Sequence, residues 1–148
     1  MKNKIFWLIM LILILTVSCG EKNNTSGKDG SKEIVLRFLW WGSESRHKAT
    51  LDAIKLFEEK NPGIKIKAEY GGTDGYFQKL STQLTGNTAP DIMQVDYIWL
   101  FNFSKNGDGF YDINLLKDEF NLANYTKEDL SYTTINGKLN AIPVGMNG

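Results

Sequence analysis

The sequence predicts an α/β fold built on a mainly parallel sheet, and three observations carry that expectation. Three short stretches, 34–41, 64–70 and 91–95, are apolar or strictly alternating and read as strands. Two longer stretches between them, 44–60 and 76–85, repeat apolar residues at helical spacing. Clusters of Gly, Pro, Asn and Ser punctuate every junction. Strands that alternate with helices need crossover connections, which lay the strands parallel and place the helices on the sheet faces.

Ile34 to Trp41 (IVLRFLWW) is an almost continuous apolar and aromatic run, suited to a central strand covered on both faces. It breaks at Gly42-Ser43. Glu44 to Lys60 then reads as a helix with Thr50, Ala53, Ile54 and Phe57 on its inner face, capped by Ser43 or Ser45 and stopped by Asn61-Pro62-Gly63. Ile64 to Tyr70 (IKIKAEY) alternates, with Ile64, Ile66, Ala68 and Tyr70 on one side, as a half-exposed strand does. After a glycine-rich loop, Tyr76 to Thr85 places Phe77, Leu80 and Leu84 on one helical face, with Asp74 available as a cap. Gly86 to Pro90 ends that helix, and Asp91 opens a third strand, Asp91 to Val95.

The remainder is more broken. Tyr97 to Phe103 reads as a short helix packed through Ile98, Phe101 and Trp99, followed by a turn at Gly107-Asp108-Gly109. Leu115 to Phe120 and Lys127 to Tyr132 read as short helices, the second opened by a capping box of Thr126 and Asp129. Asn136-Gly137 fits both central positions of a type I′ turn and predicts a hairpin. No internal repeat is evident.

The start of the chain differs from all of this. A basic Met1-Lys2-Asn3-Lys4 precedes a continuous apolar run, Ile5 to Val17, shorter than the roughly 20 residues of a spanning helix. That pattern reads as a secretory signal. Leu15-Thr16-Val17-Ser18-Cys19 resembles a bacterial lipobox, which implies cleavage before Cys19 and a diacylglycerol on its sulfur. The alternative is an uncleaved anchor helix, and both readings put the rest of the chain outside the cytoplasm. Gly20 to Lys32 holds no large apolar residue and reads as a flexible tether. The chain thus divides into a signal peptide (1–18), a lipid-anchored tether (19–32) and a folded part (33–148).

Composition excludes several functions. Without Lys2 and Lys4, 15 basic residues face 17 acidic ones, so no basic face for nucleic acid is expected. The only Cys is Cys19 and the only His is His47, which rules out a disulfide within the chain and any metal site built on several Cys or His. No metal or cofactor is expected. His47, between Arg46 and Lys48, reads as an exposed surface residue.

In open parallel sheets, ligands bind beyond the carboxyl ends of the strands. Here those ends are Trp40-Trp41-Gly42-Ser43-Glu44, the Gly71 to Tyr76 loop and Asp96-Tyr97. Strand alternation sends Trp40 and Trp41 to opposite faces, and Trp41 is the better candidate for the rim. Glu44 and Arg46 can accept and donate hydrogen bonds to hydroxyls, with Arg46 in a fork geometry, or form a solvated helix start. Asp74 can bind a hydroxyl or cap the following helix. Tyr97 and Trp99 are further aromatic candidates.

The lipobox, Trp40-Trp41-Gly42, Phe57-Glu58-Glu59-Lys60-Asn61-Pro62-Gly63-Ile64, Gly86-Asn87-Thr88-Ala89-Pro90-Asp91-Ile92 and Asn136-Gly137-Lys138-Leu139 … Ile142-Pro143 together resemble extracellular solute-binding proteins of family 1. These are carbohydrate receptors of ABC importers. The resemblance implies a periplasmic-binding-protein-like type II lobe, here the first segment of the N-terminal lobe without its partner lobe. It implies a monomeric, non-enzymatic receptor that hands a sugar or oligosaccharide to a permease at the membrane. It also implies a stacking role for Trp41, assisted by Gly42, and a hydroxyl-accepting role for Asp96. The competing classes are a surface glycoside hydrolase or esterase and an adhesin. Asp74, Asp91 and Asp96 could supply acids for hydrolysis, but no Gly-x-Ser-x-Gly elbow occurs.

Overall fold

A computed structural model describes residues 32–145. The signal peptide, Cys19 and nearly all of the tether lie outside the described residues. Among those described, no helix is long and apolar enough to cross a membrane.

The element order is β1 (Ile34–Trp41), α1 (Glu44–Lys60), β2 (Ile64–Gly71), α2 (Tyr76–Thr85), β3 (Ile92–Met93), α3 (Tyr97–Phe103), α4 (Lys127–Ser131), β4 (Thr134–Ile135) and β5 (Lys138–Leu139). The first sheet has the order β2-β1-β3, all parallel, with β1 central as expected, but Ile34 and Val35 at its start are 54% and 55% exposed, so the expected cover on both faces does not reach that end. β1 and β2 pair along their whole length, from Ile34 opposite Ile64 to Trp41 opposite Gly71. All three strand ends that were expected to form one rim therefore lie at the same edge.

Alternation along β1 separates two layers. Leu39 and Trp41 face α2 and α3, where Leu39, Tyr76 and Leu80 form a buried core flanked by Leu84, Met93, Val95, Trp99 and Phe103. Trp40 faces α1 and is 2% exposed. Arg37, the one charge in β1, ties three segments together. Its Nε donates to Glu69 at 2.8 Å, its Nη1 to the Thr88 carbonyl at 2.8 Å, and its backbone N–H to Asp91 Oδ2 at 2.8 Å. Asp91 thus anchors the start of β3.

The inner face of α1 differs from the apolar stripe expected. His47 is buried and Thr50, Ile54 and Glu58 are half-buried, whereas Ala53 is exposed and Phe57 is 41% exposed. The reason is that the sheet offers donors to this helix. Trp40 presents its indole N–H to His47, and Glu58 accepts from the Ile66 N–H at 2.7 Å and from Lys65 at 3.0 Å. An edge strand leaves such N–H groups unpaired, and a carboxylate satisfies one of them here. The expectation that His47 sits on the surface is corrected: it is 5% exposed.

β3 is shorter than the expected 91–95. The Gln94 N–H still donates to the Leu39 carbonyl at 2.8 Å, but the Gln94 carbonyl accepts from the Tyr76 hydroxyl at 2.8 Å. Its side-chain oxygen instead receives the Trp41 N–H, at 3.4 Å. A tertiary hydroxyl therefore ends the ladder.

α3 packs through Leu100, Trp99 and Phe103, while Ile98 and Phe101, expected to pack, are 57% and 60% exposed. A 3-10 turn at Ile113–Leu116 replaces the expected helix 115–120, and a second at Leu122–Asn124 was not foreseen. Asp112 caps the first turn and also accepts from the Leu139 N–H at 3.0 Å, holding it to the hairpin, while Leu115 and Phe120 stay exposed. The capping box of Thr126 and Asp129 forms as expected. So does the hairpin, with φ of 50° at Asn136 and 78° at Gly137. Buried Ser104 donates to Asn140 Oδ1 at 2.7 Å and accepts from the Gly109 N–H at 2.9 Å, joining α3 to the chain after β5.

Candidate functional site

The rim begins with β1. Trp41 is half-buried, and its ring lies 4.8 Å from Tyr76 and 5.5 Å from Trp99, centroid to centroid. Phe77 and Phe103 support Trp99 from behind, with Phe77 5.2 Å from Trp99 and 5.5 Å from Phe103. Offset aromatic contacts of this kind hold a ring's orientation as well as burying it. The Tyr76 hydroxyl is buried against the carbonyls of Leu39 and Gln94, and burial pushes its pKa far above the usual phenol range. It remains a donor at all physiological pH values, which fixes α2 to the ends of β1 and β3.

Gly42 follows. Its N–H donates to the Gly71 carbonyl at 3.1 Å, which extends the β1–β2 ladder into the loops. A Cβ at Gly42 would stand 2.5 Å from Arg46 Cδ, so the bare glycine lets the Arg46 stem fold back over the strand end. Glu44 and Arg46 are both exposed in the first turns of α1. Ser43 is the N-cap residue, but its hydroxyl makes no capping bond and instead meets Ser45 Oγ at 2.9 Å.

Asp74 does not cap α2, correcting one of its two expected roles. The N-cap is Gly75, in the left-handed region with φ of 73°, and no side chain caps it. Asp74 is exposed and lines a small pocket with Gly71, Gly72, Gly75, Tyr76 and Lys79. Asp96 does cap α3: its Oδ1 accepts from the Ile98 N–H at 3.2 Å. Among the described residues only Oδ1 is engaged. Tyr97 is 63% exposed, its ring edge-on to Tyr132 at 6.2 Å.

The structure thus folds the Arg46 stem over Gly42, the residue after Trp41, and sets the loops carrying Asp74 and Asp96-Tyr97 on the two sides of β1. Sequence reasoning missed Tyr76 and Gln94, which build the wall behind Trp41: Tyr76 stands four residues before Leu80 on the helical face, a signal that marks it for the core, whereas Gln94 carries no periodic or motif signal. The donor set forms no metal cluster among the described residues.

Residues 41–135 match the bacterial extracellular solute-binding protein family. The chain belongs to that family. Relatives in Brucella abortus and Brucella suis, named as binding proteins, are 30% identical over 95 residues, which is 61% of this chain and 22% of theirs. A periplasmic oligogalacturonide binding protein from Yersinia enterocolitica, solved with saturated digalacturonic acid, is 46% identical with a TM-score of 0.75, over 76% of this chain and 28% of that one. A de novo designed cysteine esterase is also 46% identical, with a TM-score of 0.74 over 76% of this chain and 28% of that one. The chain therefore spans about a fifth of the length of its curated relatives and just over a quarter of these solved structures. The shared architecture is the α/β, mainly parallel lobe of a solute-binding protein.

Proposed function

We propose that these residues form one wall of the binding cleft of an extracytoplasmic carbohydrate receptor. The observation that carries this reading is Trp41, a half-exposed indole held by Tyr76 and Trp99 at the carboxyl end of the central strand. Such a ring offers a flat apolar surface to the C–H face of a sugar. The Asp96 and Asp74 carboxylates, the Arg46 guanidinium, Glu44 and Tyr97 would supply directed hydrogen bonds to hydroxyls. Gly42 makes room for the Arg46 stem beside Trp41. Because the Yersinia enterocolitica relative binds an oligogalacturonide, acidic oligosaccharides are the first class to try, with Arg46 as the cation for a sugar carboxylate.

Binding without turnover fits the family. The designed relative is a cysteine esterase, and the sole cysteine of this chain is Cys19, in the lipobox. We further propose that Cys19 carries the lipid anchor, that the receptor acts as a monomer on the outer side of the cell membrane, and that it delivers its ligand to an ABC permease.

The test is a tryptophan-fluorescence titration of the full-length protein against a glycan panel headed by digalacturonic acid. A saturable shift, lost in Trp41→Ala, is the expected result. No shift with any glycan from a folded protein would overturn the carbohydrate reading. Labelling cells with an alkyne fatty acid, with Cys19→Ser as the control, tests the anchor.

A further inference from the structure

Trp41 is one of two adjacent indoles, and the other is held in an unusual way. Trp40 is almost fully buried beneath α1, stacked 4.9 Å from Tyr70, and its indole Nε1–H donates to His47 Nδ1 at 3.2 Å. The His47 ring lies 4.6 Å from Tyr70 and is itself 5% exposed. An indole nitrogen can only donate. In this contact Nδ1 therefore accepts through its lone pair.

We infer that His47 is a positioning residue that couples protonation to the geometry of the rim. His47 stands on the first turn and a half of α1, the segment that carries Glu44 and Arg46 over Gly42. Adding a proton at Nδ1 turns the acceptor into a donor that faces the indole N–H. The contact then becomes repulsive, and a charge is buried without a partner. β1 faces this ring with Trp40 and no charged group, since Arg37 lies on the other face with Glu69. β2 faces it with the Tyr70 phenol. The charged groups of α1 nearest in sequence are Glu44, Arg46 and Lys48, the last paired with Asp52 at the surface. Nothing in this set offers the imidazolium a buried counter-ion, so the protonated ring must turn out of the contact or carry the first turn of α1 away from the end of β1, and either change unseats Trp40 beneath the rim. Ligand capture would then weaken as pH falls.

This inference rests on the rim being the ligand site, and the experiment separates the two. Wild-type full-length protein is titrated with digalacturonic acid at about pH 7.5 and about pH 5.5, and the Trp40 indole N–H is followed by NMR in the same samples without ligand. Binding is expected to weaken in acid by up to about tenfold, within the usual span of coupling between sites. The indole resonance is expected to shift over the same range. His47→Asn presents an amide oxygen near the place of Nδ1 and cannot titrate, so it should bind at neutral pH and lose the acid response in both readouts. His47→Leu should bind weakly at both pH values. An indole resonance that ignores pH, or an acid loss of binding that persists in His47→Asn, would overturn the inference. If no glycan binds at either pH, the ligand-site reading fails, and the indole resonance still decides whether His47 holds Trp40 in a protonation-dependent way.

Discussion

Trp40 and Trp41 are neighbours of identical chemistry, yet the strand assigns them opposite tasks. Trp40 points under α1, where it is sealed by Tyr70, Phe38 and His47. Trp41 points to the α2 and α3 side and stays half-exposed at the rim. The first is a packing residue with its one polar atom satisfied. The second is only partly covered, by Tyr76 and Trp99. A single step along a pleated strand separates the sealed ring from the one proposed to meet a ligand.

The sharpest way to break this contrast is to truncate each ring in turn. Trp40→Ala should cost about 3–5 kcal/mol of stability in urea unfolding of the full-length protein. Trp41→Ala should cost clearly less, because its ring is only half-buried, while glycan affinity falls at least about tenfold, a loss of about 1.4 kcal/mol. Equal stability losses, with binding kept in Trp41→Ala, would erase the distinction.

Gly109→Ala tests the region behind the Trp41 side. A Cβ there would stand 2.1 Å from the Phe103 carbonyl oxygen, a backbone atom that cannot swing aside. Overpacking of this kind costs about 1–3 kcal/mol, read from the urea midpoint. Asp96 probes whether a rim residue serves structure or ligand. Asp96→Ala should lose about 1 kcal/mol with its cap, and Asp96→Ser should restore that stability without restoring affinity. Recovery of both together would make Asp96 a cap alone.

The smallest effect concerns Glu69, 16% exposed at its side chain and held by Arg37. The Arg37 hydrogen bond is the main cause that lowers the Glu69 carboxyl below its ordinary value of 4.5, with the Arg37 charge adding to it and burial opposing. A lowered folded pKa means stability that is present above the ordinary carboxylate range and is lost as pH falls through the depressed value. Glu69→Gln should therefore flatten the acid limb of stability below the ordinary carboxylate range, measured by urea midpoints. An unchanged limb would show that the Arg37 pairing contributes nothing to acid stability.

Much of the architecture could be read before any coordinate. The strict alternation of 64–70, the long apolar run of 34–41 and the Asn136-Gly137 turn each carry their geometry in local chemistry. The end of α1 follows from Asn61-Pro62-Gly63, whereas the expected serine cap at its start does not form. The Thr126–Asp129 capping box is equally local. What could not be read depended on partners far away in the chain. His47 looked like a surface residue because its neighbours in sequence are charged, and only the Trp40 indole makes it a buried acceptor. Phe57 looked like a core residue at helical spacing, but the donors offered by the sheet turned Glu58 inward instead.

Local sequence therefore determined the two paired long strands, the helices over 44–60, 76–85, 97–103 and 127–131, their order and the edge at which their loops meet, since period, capping and turn chemistry act over a few residues. It did not determine the 3-10 turns at 113–116 and 122–124. The tertiary structure alone decided how far β3 runs, which face of α1 is buried and how Trp41 is held. Each of those outcomes turns on one hydrogen bond or ring contact between residues that only folding brings together: Tyr76 with Gln94, His47 with Trp40, and Trp41 with Trp99.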